Sequence, residues 1–149
     1  RKSTTLFQGI KKMEHIYSKF ITFLSFLFIA GVNCTFAGNA VTITDPPTGA
    51  MVSSPVKVCM ATEGVEVEPA KKGINEGKGH HHIIVDVNLP KDLSKPVGKD
   101  ANHIHMGDGS TCKKIKLSAG KHIIRTLFAK GNHVPYDPAL TSTVTVNVK

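Results

Sequence analysis

The chain has 149 residues, 40% of them hydrophobic, with 19 Lys and Arg against 11 Asp and Glu, eight His, three Cys and no Trp. This composition excludes a disordered, collagen-like or disulfide-dense chain and fits one domain. A formal charge of +8 implies a nucleic-acid or membrane-surface partner only if the charge belongs to the folded part.

The start of the chain reads as a leader. Met13 opens a short cationic stretch, the run FITFLSFLFIAGV (Phe20 to Val32) is apolar, and small residues follow it. This is the pattern of a secretory signal peptide, and 13 apolar residues fall short of the ~20 that a spanning helix needs. Residues 1–12 then read as an upstream extension, with cleavage expected after Ala37 or Ala40. Cys34 lacks a lipoprotein context. The expected division is residues 1–37 as extension plus signal peptide and 38–149 as a histidine-rich domain with no stable membrane span. Arg1, Lys2, Lys11, Lys12 and Lys19 against Glu14 place +4 in the leader and leave +4 on the domain. Seven of the nine aromatics also fall in the leader, leaving Phe128 and Tyr136. Two aromatics make a poor stacking platform, so nucleic acid is not an expected partner.

From residue 41 onward the pattern is all β. Val41–Thr44 reads as a strand and Asp45–Gly49 as a turn. Val56–Met60 alternates, with Val56, Val58 and Met60 on one face. Residues 63–79 read as a long exposed loop, His80–Val87 as a β-branched strand and 91–101 as a second loop. Asn102–Met106 follows, then a turn at 107–110. In Thr111–Leu117, Ile115 and Leu117 point inward. Lys121–Ala129 and Thr143–Val148 complete the set, separated by the loop 131–138. About seven short strands punctuated by turns predict an immunoglobulin-like antiparallel β-sandwich with an aliphatic core and a solvated outer face.

Seven His remain on the domain. On a strand, residues i and i+2 point the same way ~6.5–7 Å apart, so an H-x-H pair can address one ion. His80 and His82 form one pair, sharing a face with Ile84, and His103 and His105 form another. His81 falls on the opposite face with Ile83 and Val85. If the two strands approach, the pairs supply four nitrogen ligands suited to Cu²⁺ or Zn²⁺. His133, in a loop with two prolines, is an auxiliary ligand, and Met60 and Met106 add thioethers should the ion be Cu⁺. His122, on a face with Ile124 and Phe128, reads as a satisfied core residue. The plainer alternative is that these histidines hydrogen-bond neighbouring backbone.

The motifs GHHHIIVDVNLP (79–90), NHIHMGDG (102–109), AGKHIIRTLFAKGNHVPYDP (119–138) and DPPTGAMVSSPVKV (45–58) together resemble a family of small secreted bacterial proteins classed as a domain of unknown function. The resemblance covers nearly all of 41–149 and implies export and a sandwich-like β domain, with no activity attached. Its motif positions are His80, His81, His82, Asn102, His103, His105, His122, Asn132 and His133. Tyr136 stands where that family usually has a second loop histidine, which puts any site depending on that imidazole in question. His103-Ile-His105 followed by Gly107-Asp108 and Cys112 is also similar to the copper-ligand strand of Cu/Zn superoxide dismutases, but the zinc loop that should follow has no histidine.

Cys59 and Cys112 make an even count for an oxidising compartment. Alternation places both on outward faces, so a disulfide and two free thiols both stay open. No catalytic residue set is visible. The reading is a periplasmic or secreted binding domain that coordinates copper, with zinc as the alternative, through His80, His82, His103, His105 and His133. The other readings are an envelope structural or interaction module and a dismutase-like enzyme. A protein partner cannot be named from the sequence.

Overall fold

The computed structural model describes residues 38–149, so the leader and Cys34 lie outside it. Among the described residues nine strands form two sheets: β1 (Ala40–Asp45), β2 (Met51–Val52), β3 (Val56–Glu63), β4 (Glu66–Val67), β5 (Lys78–Val85), β6 (His103–His105), β7 (Cys112–Ile115), β8 (Gly120–Ala129) and β9 (Thr141–Val148). The smaller sheet has the order β1-β3-β7. The larger runs β2-β9-β8-β5-β4, with β6 also paired to β5. The fold is therefore the expected all-β sandwich. The main ladders are antiparallel, while the two-residue strands β2 and β4 pair in parallel with β9 and β5. Among the described residues no helix is long and apolar enough to cross a membrane.

Alternation builds the core. Ile43, Val56, Val58, Met60 and Ile115 from the small sheet meet Ile83, Val85, Ile124, Val144, Val146 and Val148 from the large one, with Met106 packed among them. These are the inward positions of the period-2 pattern, and burying each contributes roughly 1.5–3 kcal/mol. Phe128 extends the same layer against Val41, Val65 and Leu140.

Two expectations change. The segment 63–79 is no plain loop, since it contains β4 and a 3₁₀ turn at Ala70–Lys72. The outer face of the large sheet is also not solvated throughout. Ile84, Leu127 and Ala129 are buried there beneath Val97, with Val87, Leu89 and Ala139 around them. The segment after β5 lies over this face, so β5 is buried on both sides. This explains why 79–90 reads as a near-continuous β-branched run rather than a strict alternation.

β5 stops two residues earlier than the sequence suggests. Asp86 has φ 59°, in the left-handed region that Asp tolerates better than most side chains, and its carboxylate ties the chain end down. Asp86 Oδ1 accepts from the Ile123 N–H at 2.8 Å, and Oδ2 stands 2.7 Å from His122 Nδ1. His122 Nε2 lies 3.0 Å from the Ser118 carbonyl. A ring that donates from both nitrogens is the imidazolium, so the Asp86 hydrogen bond, aided by Ser118 and opposed by burial, raises the pKa of His122 above 6.5. Burial opposes the Asp86 carboxylate, but the Ile123 N–H, the His122 ring and Arg125 outweigh it and hold its pKa below 3.8.

This pair gives a pH prediction. The raised histidine contributes stability that is complete below its unfolded pKa and is lost as pH rises through the folded value. The lowered carboxylate contributes above its unfolded pKa and is lost on acidification. Asp86→Asn keeps the left-handed backbone and removes the charge. Its deficit relative to wild type should be largest between about pH 4 and 6.5 and shrink on going alkaline. Urea unfolding at a series of pH values measures this, and a deficit constant with pH would contradict it.

Candidate metal centre

Register brings the histidines together. In the β5–β8 ladder His80 stands opposite Ala129, and His82 opposite Leu127. On the other edge of β5, His82 stands opposite His105 of β6. His80, His82 and His105 thus share the outer face of the large sheet. His133 joins them from the turn after β8. Its N–H donates to the Lys130 carbonyl at 2.8 Å, the Lys130 N–H donates to the Val134 carbonyl at 2.9 Å, and the Val97 N–H donates to the His133 carbonyl at 2.9 Å. These bonds hold His133 at φ 68°, a backbone state that persists in non-glycine residues when the surroundings fix it.

Each of the four imidazoles offers a nitrogen within 4.8 Å of those of the other three. His80 Nε2 lies 3.1 Å from both His82 Nε2 and His133 Nδ1. Ring centroids in the group are 4.7–5.8 Å apart. Metal–nitrogen bonds of ~2.0–2.1 Å in a tetrahedron put ligand nitrogens about 3.3 Å apart. The tightest pairs already stand near that spacing.

Three of the four rings are held neutral. Burial, followed by the fields of His105, His133 and His81, pushes the pKa of His80 down to about 4. Burial and the neighbouring rings push His82 down to about 3, and burial and then His133 lower His105. Neutral rings keep a lone pair free for an ion. His80 Nδ1, His82 Nδ1 and His105 Nε2 are buried without a hydrogen-bond partner among the described residues. Buried polar atoms are normally satisfied; His81 Nε2, on the opposite face, is also without a partner, so it is the convergence of the rings that singles out this group. The arrangement could hold a metal ion.

His103 is not brought into the group. It stands opposite Ile84, two pairs beyond His105, and its Nδ1 lies 2.8 Å from Asp100 Oδ1. The same carboxylate oxygen accepts the Asn102 and His103 N–H groups, so a local turn claims the ring. His81 faces inward, as alternation predicts. Its ring meets Phe128 edge-on at 5.1 Å, its Nδ1 lies 3.4 Å from Thr126 Oγ1, and burial lowers its pKa to about 4. Met60 and Met106 belong to the core between the sheets, which removes the thioethers from the candidate ligands. Tyr136 donates to the Lys78 carbonyl at 2.8 Å and stacks on Phe128 at 5.8 Å. It packs with the core cluster around Phe128, so the four-imidazole group is complete without a histidine at 136.

Sequence reasoning missed two supports of the site. Gly107 reads as a turn residue, yet a Cβ there would fall on the His105 ring. Its role is close approach rather than backbone freedom, and its place two residues after an H-x-H pair is the only trace of this in the sequence. The other support is the loop bearing Val97, Gly98 and Lys99, which lies beside His82, His105 and His133. It carries no periodic signal. The cysteines, left open by the sequence, face each other directly across β3 and β7 and form a disulfide.

The fold and the site define a small β-sandwich domain with a tetrahistidine cluster on the covered face of its larger sheet. The chain belongs to the family described as "Domain of unknown function (DUF4399)", whose model matches residues 58–149. No curated protein matches the chain. Among solved structures it is similar to one titled "Structures of Clostridium thermocellum CbhA fibronectin(III)-like modules". The identity is 14%, the TM-score 0.39, and the match covers 73% of this chain and 95% of that one.

Proposed function

We propose that this domain binds a transition-metal ion through His80, His82, His105 and His133, that copper is its ion, and that it works outside the cytoplasm in metal sequestration or delivery. The observation that carries the reading is the meeting of four imidazoles whose ligand nitrogens all lie within 4.8 Å of one another. A set of four nitrogens with no thiolate or thioether suits Cu²⁺ and Zn²⁺, and at such a site the Irving–Williams order favours Cu²⁺. The Cys59–Cys112 disulfide fits an oxidising compartment, in keeping with the leader read from residues 13–37. The dismutase alternative finds no second metal-ligating group among the described residues.

The test is titration of chelator-stripped protein with Cu²⁺ and Zn²⁺. One equivalent of each should bind, Cu²⁺ the more tightly. At 100 times the dissociation constant the ion should add ~2.7 kcal/mol to stability. No saturable uptake of either ion would overturn the proposal and leave a scaffold role for the histidines.

A further inference from the structure

The four imidazoles are not equally enclosed. His80 is fully buried and His82 nearly so, whereas His105 and His133 are half-buried. His82, His105 and His133 line a cavity of about 270 Å³, whose remaining walls are Val97, Gly98 and Lys99. His80 lies outside that lining. An ion held among the four nitrogens therefore has His80 behind it and the cavity in front. Structural zinc sites are closed, whereas sites that do chemistry or exchange ligands keep a position open.

The charged residue in the wall of this cavity is a cation. Four imidazole ligands bring no negative charge to a divalent ion, and no carboxylate lines the cavity. Lys99 is its one charged wall residue, and it makes no salt bridge among the described residues. A divalent cation among the rings repels the flexible, exposed Lys99 ammonium unless something negative lies between them. The cavity opens on solvent at one side, and its volume suits a small ligand. It equals roughly nine waters at ~30 Å³ each, below the ~300–1,000 Å³ of pockets for drug-sized ligands. The Gly98 backbone leaves the wall uncrowded, since a Cβ there meets nothing within 4 Å.

We propose that this cavity is a binding position for a small inorganic or carboxylate anion, which coordinates the metal at its open side and pairs with the Lys99 ammonium at its other end. This rests on the four-histidine metal reading and deepens it, making the centre one that accepts an exogenous ligand rather than a closed structural site.

Azide is a suitable probe because its binding to Cu²⁺ produces a charge-transfer absorption. Wild type, Lys99→Met and Lys99→Arg are each loaded with one equivalent of Cu²⁺, with uptake measured for every variant, and titrated with sodium azide. Wild type should show a saturable azide band. Lys99→Met should weaken azide binding about tenfold or more, as loss of a charge-assisted contact does, and Lys99→Arg should retain most of it. If copper binds but no azide band develops, or if Lys99→Met binds azide as wild type does, the anion position is overturned and the four-histidine site stands. If wild type takes up no copper, the metal reading fails and the anion position falls with it.

Discussion

Replacing His105 by alanine should lower metal affinity by well over tenfold, while replacing His103 should leave it within a factor of about three. Losing a partner that merely orients a ligand already costs ~10–100-fold, and His105 is a candidate ligand in its own right. Its ring stands 4.9 Å from that of His80, 5.1 Å from that of His82 and 4.7 Å from that of His133, measured between centroids. Its Nε2 is buried with no partner among the described residues. His103 has the same residue type, the same strand and the same face, yet its Nδ1 is engaged by Asp100. The contrast separates a specific site from general histidine richness. Competition against a chromophoric chelator, for Cu²⁺ and for Zn²⁺, gives both affinities. Equal losses at the two positions, or wild-type affinity in His105→Ala, would contradict the assignment.

The second large effect concerns the disulfide. Cys59 and Cys112 are 53 residues apart in sequence, and the chain-entropy model assigns a loop of that size about 4 kcal/mol. β7 has four residues and forms the edge of the smaller sheet, paired only to β3. Its few backbone bonds and the burial of Ile115 do little to fix it, so the covalent link matters more here than it would in a central strand. The Cys59→Ala/Cys112→Ala protein should lose about 2–5 kcal/mol, measured by urea unfolding against wild type at equal protein concentration. A loss below about 1 kcal/mol would show that the unlinked chain already holds these strands together.

What the sequence discloses about this domain is what period-2 alternation discloses. It separates His81 from His80 and His82, and it places Val56, Val58, Met60, Val144, Val146 and Val148 in the core before any coordinates are known. Which strands become neighbours is a different kind of information. The meeting of His82 with His105 depends on a pairing between segments some twenty residues apart, across a loop without periodicity. The difference between His103 and His105 depends on the Asp100 turn, which hydropathy does not register. Alternation even argued against the disulfide by setting both cysteines on outward faces. Two outward side chains directly opposite each other in adjacent strands are close neighbours, and only the register reveals that they are. Val87, Leu89 and Val97 are scattered apolar residues in a polar stretch, too sparse to announce that they cover the outer face of the sheet.

The hydrogen bond from the Val97 N–H to the His133 carbonyl has a kinetic consequence. It joins the covering segment to the backbone of a candidate ligand, so the two cannot loosen independently. Opening of this joint would carry His133 away from the other three rings and add a route for ion release beside the open cavity, and local opening has its own free energy, distinct from that of global unfolding. Residence time and affinity then become separate properties of the domain. A substitution that weakens the packing of Val97 on Ile84 and Leu127 shortens the first while every metal–nitrogen bond remains available to support the second.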